Sequence, residues 1–277
     1  MPYNYLLSTE SQMALPKTFK WENAILIFDE AHNLESSCMD AASVEITTML
    51  IQHCVTETTM CREEMLAREE NFGHDGTDAK RTANEYSMLT SFFHALEAKM
   101  GETAVAGVEP RAQPGSYIFE LMGHWTSETG HDEVEAVLSD AISLLTEKAA
   151  EEGQRQGSKT RHYHLHTFQR HLRVIMNSRE DADDNYRVLV HLEQPWGASK
   201  AREPKPTLSY WCFKPGVAMQ RLKRERGCRS IILTSGTLCP LRSLECELGL
   251  PFERTLENVH VIQCAPSLTS LPCLEFG

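Results

Sequence analysis

The sequence predicts an α/β fold in which a parallel β-sheet is interrupted by a large, mostly helical insertion. The apolar run from Ile25 to Phe28 ends in two carboxylates, a pattern typical of a fully buried parallel strand with acidic residues at its C-terminal end. A second buried strand is predicted from Ser230 to Leu233, before a turn of small hydroxyl residues and glycine. About 140 residues of mostly helical pattern follow the first strand, too many for a loop.

The helices of the insertion are predicted from the spacing of their apolar residues. Before them, the aromatic-rich segment from Pro2 to Leu7 is expected to pack under the first strand. The predicted helices cover residues 34–67, 79–100, 118–125, 132–150 and 162–176, and the predicted loops include 101–116 and 151–158.

Strand patterns return in the last third of the sequence. Tyr186 to Leu192 is alternating and β-branched, and Leu208 to Phe213 is a second probable strand. The turn Lys214-Pro215-Gly216 follows. Two short helices are predicted on either side of the Ser230 strand, over 217–226 and 240–248.

Composition narrows the class of protein. The chain has 277 residues, so it can bury a full core and could form two domains. No run is apolar and long enough to cross a membrane, and residues 1–7 are too short and lack the basic lead of a secretory signal. The net charge of −12 argues against a generally basic nucleic-acid coat, although a local basic groove stays possible. Nine scattered cysteines without a C-x-x-C pair favour reduced, mostly buried thiols.

The acidic pair Asp29-Glu30 is the first candidate site. In open α/β sheets ligands bind at the C-terminal ends of the strands, where this pair is expected. An aspartate there can hold Mg²⁺ through water, and a following glutamate can orient or deprotonate an attacking water. The alternative is a capped strand end with two surface carboxylates.

Two blocks around the predicted strands resemble one family. Asp29 to Glu35 reads DEAHNLE and Ser230 to Leu238 reads SIILTSGTL, and both are similar to the iron–sulfur DNA helicases of superfamily 2, of the XPD/FANCJ type. Leu208 to Gly216, which reads LSYWCFKPG, and Leu256-Glu257-Asn258 are similar to the branch that regulates telomere elongation. The four residues Asp29 to His32, which read DEAH, would alone be moderate evidence for this family, and the wider match strengthens that evidence.

The resemblance implies the fold and its division into domains. It implies an incomplete RecA-like (P-loop NTPase) parallel sheet, interrupted by an Arch-type insertion. The implied segments are 1–45 for the first motor domain with its Walker B box, 46–184 for the Arch-like insertion and 185–263 for the return to the motor domain with motif III. Residues 264–277 lack periodicity and are unassigned, and our hypothesis is that this tail comes from a truncated or misread gene.

The resemblance also implies roles for individual residues. Asp29 would bind Mg²⁺ through water, and Glu30 would act as the base in ATP hydrolysis. His32 would bridge toward motif III, with Ser235 or Thr237 as its partner. The motif III residues implied to couple hydrolysis to DNA movement are Ser235, Gly236 and Thr237.

The parent activity implied is that of an ATP-dependent DNA helicase of 5′-to-3′ direction, in DNA repair or telomere maintenance. The implied ligands are ATP, Mg²⁺ and single-stranded or duplex DNA. The implied location is the nucleus, and the implied partners are repair or replication proteins that bind through the Arch. A 4Fe–4S cluster is expected in the family, but its four cysteines would precede Met1, so no residue here is assigned to it.

One expected motif is missing from the sequence. There is no G-x-x-x-x-G-K-[ST], the loop that cradles phosphates and supplies a lysine. We therefore expect the chain alone to be inactive as an ATP hydrolase. This leaves open a rival function, in which a helicase-derived module binds a partner protein without catalysis.

Basic residues cluster twice in the chain. The first cluster comprises Arg155, Lys159, Arg161, Arg170 and Arg173, interleaved with histidines. It is either a phosphate-tracking edge of the insertion or a solvated helix face. The second comprises Arg221, Lys223, Arg224, Arg226 and Arg229, and is expected to be ordinary surface. Tyr3, Tyr5 and Trp211 are expected in the core, with base stacking as the alternative.

Overall fold

The structure is a computed structural model that describes residues 2–8, 15, 20–72, 82–106, 111–156, 163–193, 204–238 and 240–257. The predictions for the tail 264–277 and for Asn258 lie outside these residues. Among the helices described, none is both long and apolar enough to cross a membrane.

The first sheet is parallel, as predicted, and consists of strands β1 (Ile25–Asp29) and β6 (Ser230–Thr234). In-register pairing places Ile27 beside Ile232 and ends with Asp29 beside Thr234. The prediction of full burial was wrong for both strands, because each alternates between covered and exposed residues. Only one face of this two-stranded sheet is packed against the rest of the described chain, which leaves the other face in solvent.

The connection from β1 was predicted as one helix over 34–67, and this was wrong. The structure has helix α2 (Leu34–Ala42), strand β2 (Val44–Thr47) and helix α3 (Thr48–Phe72). Residues 44–47 read VEIT, in which the two aliphatic residues alternate with polar ones and are buried. This period of two, with β-branched residues, suits a strand that can bury one face.

The second sheet is antiparallel, with strand order β2-β5-β4-β3. It contains β3 (Gln113–Pro114), β4 (Tyr186–Glu193) and β5 (Lys205–Cys212), so the two strands predicted here are confirmed. Within the described residues, none of these strands pairs with β1 or β6. The neighbour of β1 in the parallel sheet is β6. The buried rings of Tyr186 and Tyr210 stack at 4.4 Å across β4 and β5.

The predicted helices of the insertion are confirmed, but two of them run further than expected. The four helices are α4 (Ala83–Ala106), α5 (Tyr117–Met122), α6 (Glu128–Gln156) and α7 (His164–Asn177). The predicted loops 101–116 and 151–158 were placed too early. Each begins with good helix formers and a single glycine, whose cost of about 1 kcal/mol a long packed helix can absorb.

These helices share one aromatic core. The ring of Phe92 lies 5.1 Å from Trp125 and 6.0 Å from Phe168, and the ring of Phe93 lies 4.8 Å from Phe168. The buried carboxylate of Glu57 on α3 accepts hydrogen bonds at 2.8 Å from the backbone N–H groups of His164 and Leu165. A side chain of one helix therefore caps the first turn of another.

The remaining described elements lie in both parts of the fold. Turns of 3₁₀ helix occur at Ala31–Asn33 after β1, at Gly123–Thr126 between α5 and α6, and at Arg179–Asp181 before the short helix α8 (Ala182–Asn185). A second short helix, α1 (Asn4–Leu7), packs against α2. Helix α9 (Gly216–Arg226) packs against α2 and against α10 (Leu241–Leu248).

The N-terminal segment packs under the first strand, as expected. The Tyr3 ring meets Phe28 edge-on at 5.6 Å, and the Arg221 guanidinium donates to the Leu7 carbonyl at 3.0 Å. Two aromatic residues expected in the core are instead exposed, Tyr5 at 36% and Trp211 at 41%. Trp211 is exposed because it alternates with buried Tyr210 and Cys212 on an antiparallel strand whose second face is partly open.

Candidate nucleotide site at the ends of the parallel strands

The acidic half of the site is built where β1 ends. Asp29 is the last residue of the strand, and Glu30 turns the chain with φ 53° and ψ 45°, in the left-handed region. The Tyr3 hydroxyl donates to the backbone carbonyl of Asp29 and braces this turn. Partial burial, together with the charges of Asp29 and Glu30, raises the pKa of the Tyr3 phenol, so it stays a protonated donor.

The hydroxyl half of the site is built where β6 ends. Parallel register sets Thr234 beside Asp29, and the Thr234 hydroxyl lies 3.4 Å from Asp29 Oδ1. One residue further on, the Ser235 hydroxyl donates to Glu30 Oε2 at 3.0 Å, across a sequence separation of 205 residues. The C-terminal ends of neighbouring parallel strands point the same way, which is why residues so distant in sequence meet.

His32 joins the two halves. Its Nδ1 lies 3.0 Å from Ser235 Oγ and 3.3 Å from Glu30 Oε2, and its Nε2 lies 2.9 Å from Asn33 Nδ2. With the Asn33 amide nitrogen as donor, Nε2 accepts and Nδ1 carries the proton, an assignment that follows from the network. The Ser235 hydroxyl then accepts a hydrogen bond from His32 Nδ1 and donates one to Glu30 Oε2.

Thr237 closes the network on the β6 side. Its backbone N–H donates to Ser235 Oγ at 3.3 Å, and its hydroxyl lies 3.5 Å from the same oxygen. Gly236 has open space where a side chain would be and does not adopt positive φ. Hydrogen bonds to Ser235, rather than the freedom of glycine, therefore hold this turn.

The site is open to solvent. The side chain of Glu30 is 65% exposed and that of His32 is 42% exposed. A ligand can therefore reach the Glu30 carboxylate without rearrangement of the chain. Such an arrangement can bind a hydrated cation at Asp29 and accept a proton at Glu30.

Four of the residues that were predicted for the site lie within one hydrogen-bond network, and a fifth, Asp29, is bonded to Thr234 beside it. The structure brings together Asp29, Glu30, His32, Ser235 and Thr237, which the sequence analysis had singled out as separate blocks. It adds three residues that were missed: Tyr3, Asn33 and Thr234. Asn33 and Thr234 lie within the recognised blocks, so their polar character was a usable signal, whereas nothing in the sequence tied Tyr3 to the Asp29 carbonyl.

The residues present fit Mg²⁺ better than an iron–sulfur cluster. Mg²⁺ is bound through one or two carboxylates together with waters and phosphates, and Asp29 offers a carboxylate at an open strand end. A cluster is held by several cysteine side chains at one place, and the cysteines among the described residues form no such group. Within the described part of the chain, no three potential ligand side chains are grouped.

The residues of the first basic cluster have different surroundings. Arg173 on α7 donates through Nε to Glu135 on α6 at 2.8 Å, and its terminal nitrogen contacts the same oxygen. A phosphate would have to compete with that carboxylate. Arg170 lies on α7 and Arg155 in α6, whereas Lys159 and Arg161 lie outside the described residues.

Comparison with known proteins identifies two family models that match this chain. A family model for DEAD_2 matches residues 1–51, which contain the acidic pair, and a family model for the RTEL1 helicase ARCH domain matches residues 53–215. The latter begins in α3 and ends just after β5, so it includes the helices and most of the antiparallel sheet.

Curated relatives are similar over nearly the whole chain. Proteins named regulator of telomere elongation helicase 1 homolog are 37% identical in Oryza sativa subsp. japonica and 35% identical in Arabidopsis thaliana, each over 94% of this chain. Regulator of telomere elongation helicase 1 of Bos taurus is 31% identical over 95% of it.

This chain spans about a quarter of the length of those relatives, namely 26%, 24% and 23% of them. The predicted fold class, a partial RecA-like parallel sheet with an Arch-type insertion, is confirmed, and so is the resemblance to these helicases. The chain belongs to the RTEL1 helicase family and carries its ARCH domain.

Proposed function

We propose that this chain is part of an ATP-dependent DNA helicase and supplies the water-activating half of its nucleotide site. The observation that carries this proposal is the hydrogen bond from Ser235 to Glu30, which joins the ends of two parallel strands. Two carboxylates that merely lie on the surface would not require a hydrogen bond to Ser235, which is 205 residues away in sequence. A glutamate that activates a water molecule and responds to motif III would require such a bond.

Each residue at the strand ends has a role in the proposal. Asp29 would hold Mg²⁺ through water, and the ion would neutralise phosphate charge when bound. Glu30 accepts a proton from the attacking water, a function that suits an exposed carboxylate held by hydrogen bonds at one oxygen. Thr234 and Tyr3 keep the strand end in place, so the two carboxylates stay in register with β6.

Coupling to DNA movement is assigned to the segment after β6. Ser235 contacts both Glu30 and His32, so a shift of Ser235, Gly236 and Thr237 changes the orientation of the base. The proposal therefore gives motif III a mechanical connection to the proton acceptor. In this proposal, a movement of Ser235 also shifts Glu30 and His32, to which it is hydrogen-bonded.

The finer features rest on the resemblance to the family. We propose movement in the 5′-to-3′ direction on single-stranded or duplex DNA, a role in repair or telomere maintenance in the nucleus, and protein partners bound through the Arch. The domain division at residues 45/46 and 184/185 also stays a proposal. The pairing of β4 and β5 with β2 favours a second boundary nearer residue 215.

The test begins with the transcript upstream of Met1. If it encodes a phosphate-binding loop, the longer polypeptide is expected to hydrolyse ATP, with stimulation by single-stranded DNA. Glu30→Gln should then lower the rate by about 10²–10⁴-fold, because it removes a general base while keeping the shape. Phosphate release and nucleotide affinity are measured together, and the affinity is expected to stay within a few-fold.

The same experiment distinguishes the rival function. The 277-residue chain is expected to release phosphate no faster than its Glu30→Gln variant, with or without DNA. Steady release by this chain would contradict the proposal that it holds only half of the site. An upstream sequence without a phosphate-binding loop, and no hydrolysis by the longer polypeptide, would instead favour a non-catalytic interaction module.

A further inference from the structure

A cluster of cations lies at the N-terminal ends of the two parallel strands, at the opposite end from the acidic site. The backbone N–H of Asn23 donates to the Gly227 carbonyl at 3.1 Å, and that of Arg229 donates to the Ala24 carbonyl at 2.8 Å. These bonds hold the segments 20–24 and 226–229 side by side. Basic residues that are about 200 positions apart in the sequence thus share one surface.

This surface, which we call the basal patch, consists of Lys20, Trp21, Lys223, Arg226 and Arg229. The guanidinium of Arg226 lies over the indole of Trp21, 5.2 Å from the ring centroid. Lys20, Lys223 and Arg229 are exposed, and none of the three has an ion-pair partner in the part of the chain that the structure describes.

The charge of the basal patch contrasts with that of the whole chain. From Arg221 to Arg229 the sequence contains five basic residues and one acidic residue, in a chain with a net charge of −12. Arg221 is turned toward the Leu7 carbonyl and is not part of the patch. Glu22 is the one carboxylate on the neighbouring segment 20–24.

A purely structural explanation covers only part of this surface. Basic residues in the last turn of α9 interact favourably with the partial negative charge at the C-terminal end of a helix. That explains Lys223 and Arg226. It does not explain Lys20 or Arg229, which lie on the two segments that the backbone hydrogen bonds hold side by side.

We infer that the basal patch binds the phosphate backbone of single-stranded nucleic acid, an inference that rests on the proposed helicase function. Exposed lysine and arginine side chains are the groups that neutralise phosphates. A partly exposed indole beside a guanidinium is the pairing on which bases of single strands stack. An acidic peptide would use the cations but has no base to stack on the exposed part of the indole.

The basal patch is distinct from the nucleotide site. Both strands run from the patch toward the acidic pair, and five residues of strand span roughly 16 Å. Nucleic acid bound at the patch therefore does not overlap Asp29 or Glu30. The patch would be a second contact for a strand that the motor handles, or for a neighbouring part of the same substrate.

The test measures binding of a fluorescent oligothymidine to the purified chain by anisotropy, over a range of salt concentrations. The double variant Lys223→Glu/Arg229→Glu is expected to bind about tenfold more weakly, with a salt slope lower by about 0.7 for each phosphate contact removed. The matched control is Arg111→Glu/Lys205→Glu, which changes net charge equally on the antiparallel-sheet side and should bind like the unmodified chain. Far-UV circular dichroism confirms that each variant is folded.

Three results would overturn the inference. The first is equal binding by the unmodified chain and the Lys223→Glu/Arg229→Glu variant, and the second is an equal loss in the control variant. The third is competition by a polyglutamate peptide that matches the oligonucleotide charge for charge, since the patch would then be a site for acidic protein segments. These readouts do not depend on ATP hydrolysis, so they can fail while the proposed motor function stands.

Discussion

Among the described residues, some polar side chains have hydrogen-bond partners that hold them in place, and others are buried without a partner at one of their polar atoms. In the acidic site, Ser235 contacts Glu30, His32 and Thr237. Elsewhere, several buried side-chain atoms of the described residues have no partner: Arg62 Nε, His131 Nδ1, Glu135 Oε2, His171 Nδ1, Asn185 Oδ1 and His191 Nδ1. Each such atom gives up hydrogen bonds to water without replacement, so it lowers the free energy of unfolding.

His171 gives this cost a dependence on pH. Burial, with a contribution from the charge of Arg170, lowers its pKa to about 3. The unfolded chain binds a proton at His171 below about pH 6.5, whereas the folded chain does not until pH 3. Above about pH 6.5, His171 therefore does not make the free energy of unfolding depend on pH. As the pH falls from 6.5 toward 3, the free energy of unfolding decreases by up to about 1.4 kcal/mol per pH unit, because only the unfolded chain binds this proton.

We predict that His171→Leu makes the protein less sensitive to acid. The free energy of unfolding should fall less between pH 7 and pH 5 than in the unmodified chain, by up to about 2 kcal/mol, as measured by urea denaturation. His94→Leu, at an exposed position of α4, is the control and should leave the pH dependence unchanged. The same loss in the unmodified chain and in His171→Leu would show that His171 does not determine it.

At the scale of elements, the helices of the insertion are held by specific side chains as well as by apolar packing. The Glu57 carboxylate on α3 accepts three hydrogen bonds from the start of α7, two from backbone N–H groups and one from His164 Nδ1 at 2.9 Å. The first N–H groups of a helix have no partner within it, so the cap satisfies donors that would otherwise be buried unpaired.

We predict that Glu57→Ala destabilises the protein by about 2–3 kcal/mol, because it leaves the His164 and Leu165 amides without an acceptor. Urea denaturation followed by helix circular dichroism measures the change. Glu63→Ala, at an exposed position of the same helix, is the control and should stay within about 0.5 kcal/mol. Equal effects at the two positions would argue against a capping role for Glu57.

Elements could be predicted where one local pattern dominated and were missed where pairing depended on distant residues. Helices α6 and α7 followed from apolar spacing, and the acidic site followed from two contiguous blocks. Strand β2 has four residues between two helices, and its identity depends on pairing with β5, more than 150 positions away. The contact of Tyr3 with the Asp29 carbonyl arises from tertiary packing, which no local pattern encodes.

At the scale of the molecule, the parallel sheet is covered on one side only. Leu26 and Phe28 are 5% and 0% exposed, whereas Ile25, Ile27 and Ile232 are 56%, 62% and 46% exposed. The three isoleucines lie on the same face, because Ile27 pairs with Ile232 and side chains of one strand repeat every second residue. Within the described residues, β1 and β6 have no further strand partner, and a contiguous apolar face beside such strand edges is a surface on which proteins associate.

We predict that the isolated chain self-associates through this face and that Ile27→Thr/Ile232→Thr reduces the association. Threonine keeps the β-branched shape, so the free energy of unfolding should change by less than about 1 kcal/mol. Sedimentation velocity measures the oligomers at several concentrations. Leu26→Thr, on the covered face, should instead destabilise the fold by about 2–3 kcal/mol without weakening association. Unchanged sedimentation of the double variant would contradict the prediction.

The left-handed backbone of Glu30 has a consequence for how this protein can change. A residue with a Cβ pays about 1 kcal/mol to adopt that conformation, and glycine does not. Selection for heat resistance alone would therefore favour glycine at this position, and a glycine would remove the carboxylate that we propose as the proton acceptor. Libraries of this protein selected for heat resistance should thus accumulate glycine at position 30, and a glutamate that is retained there indicates a constraint other than stability.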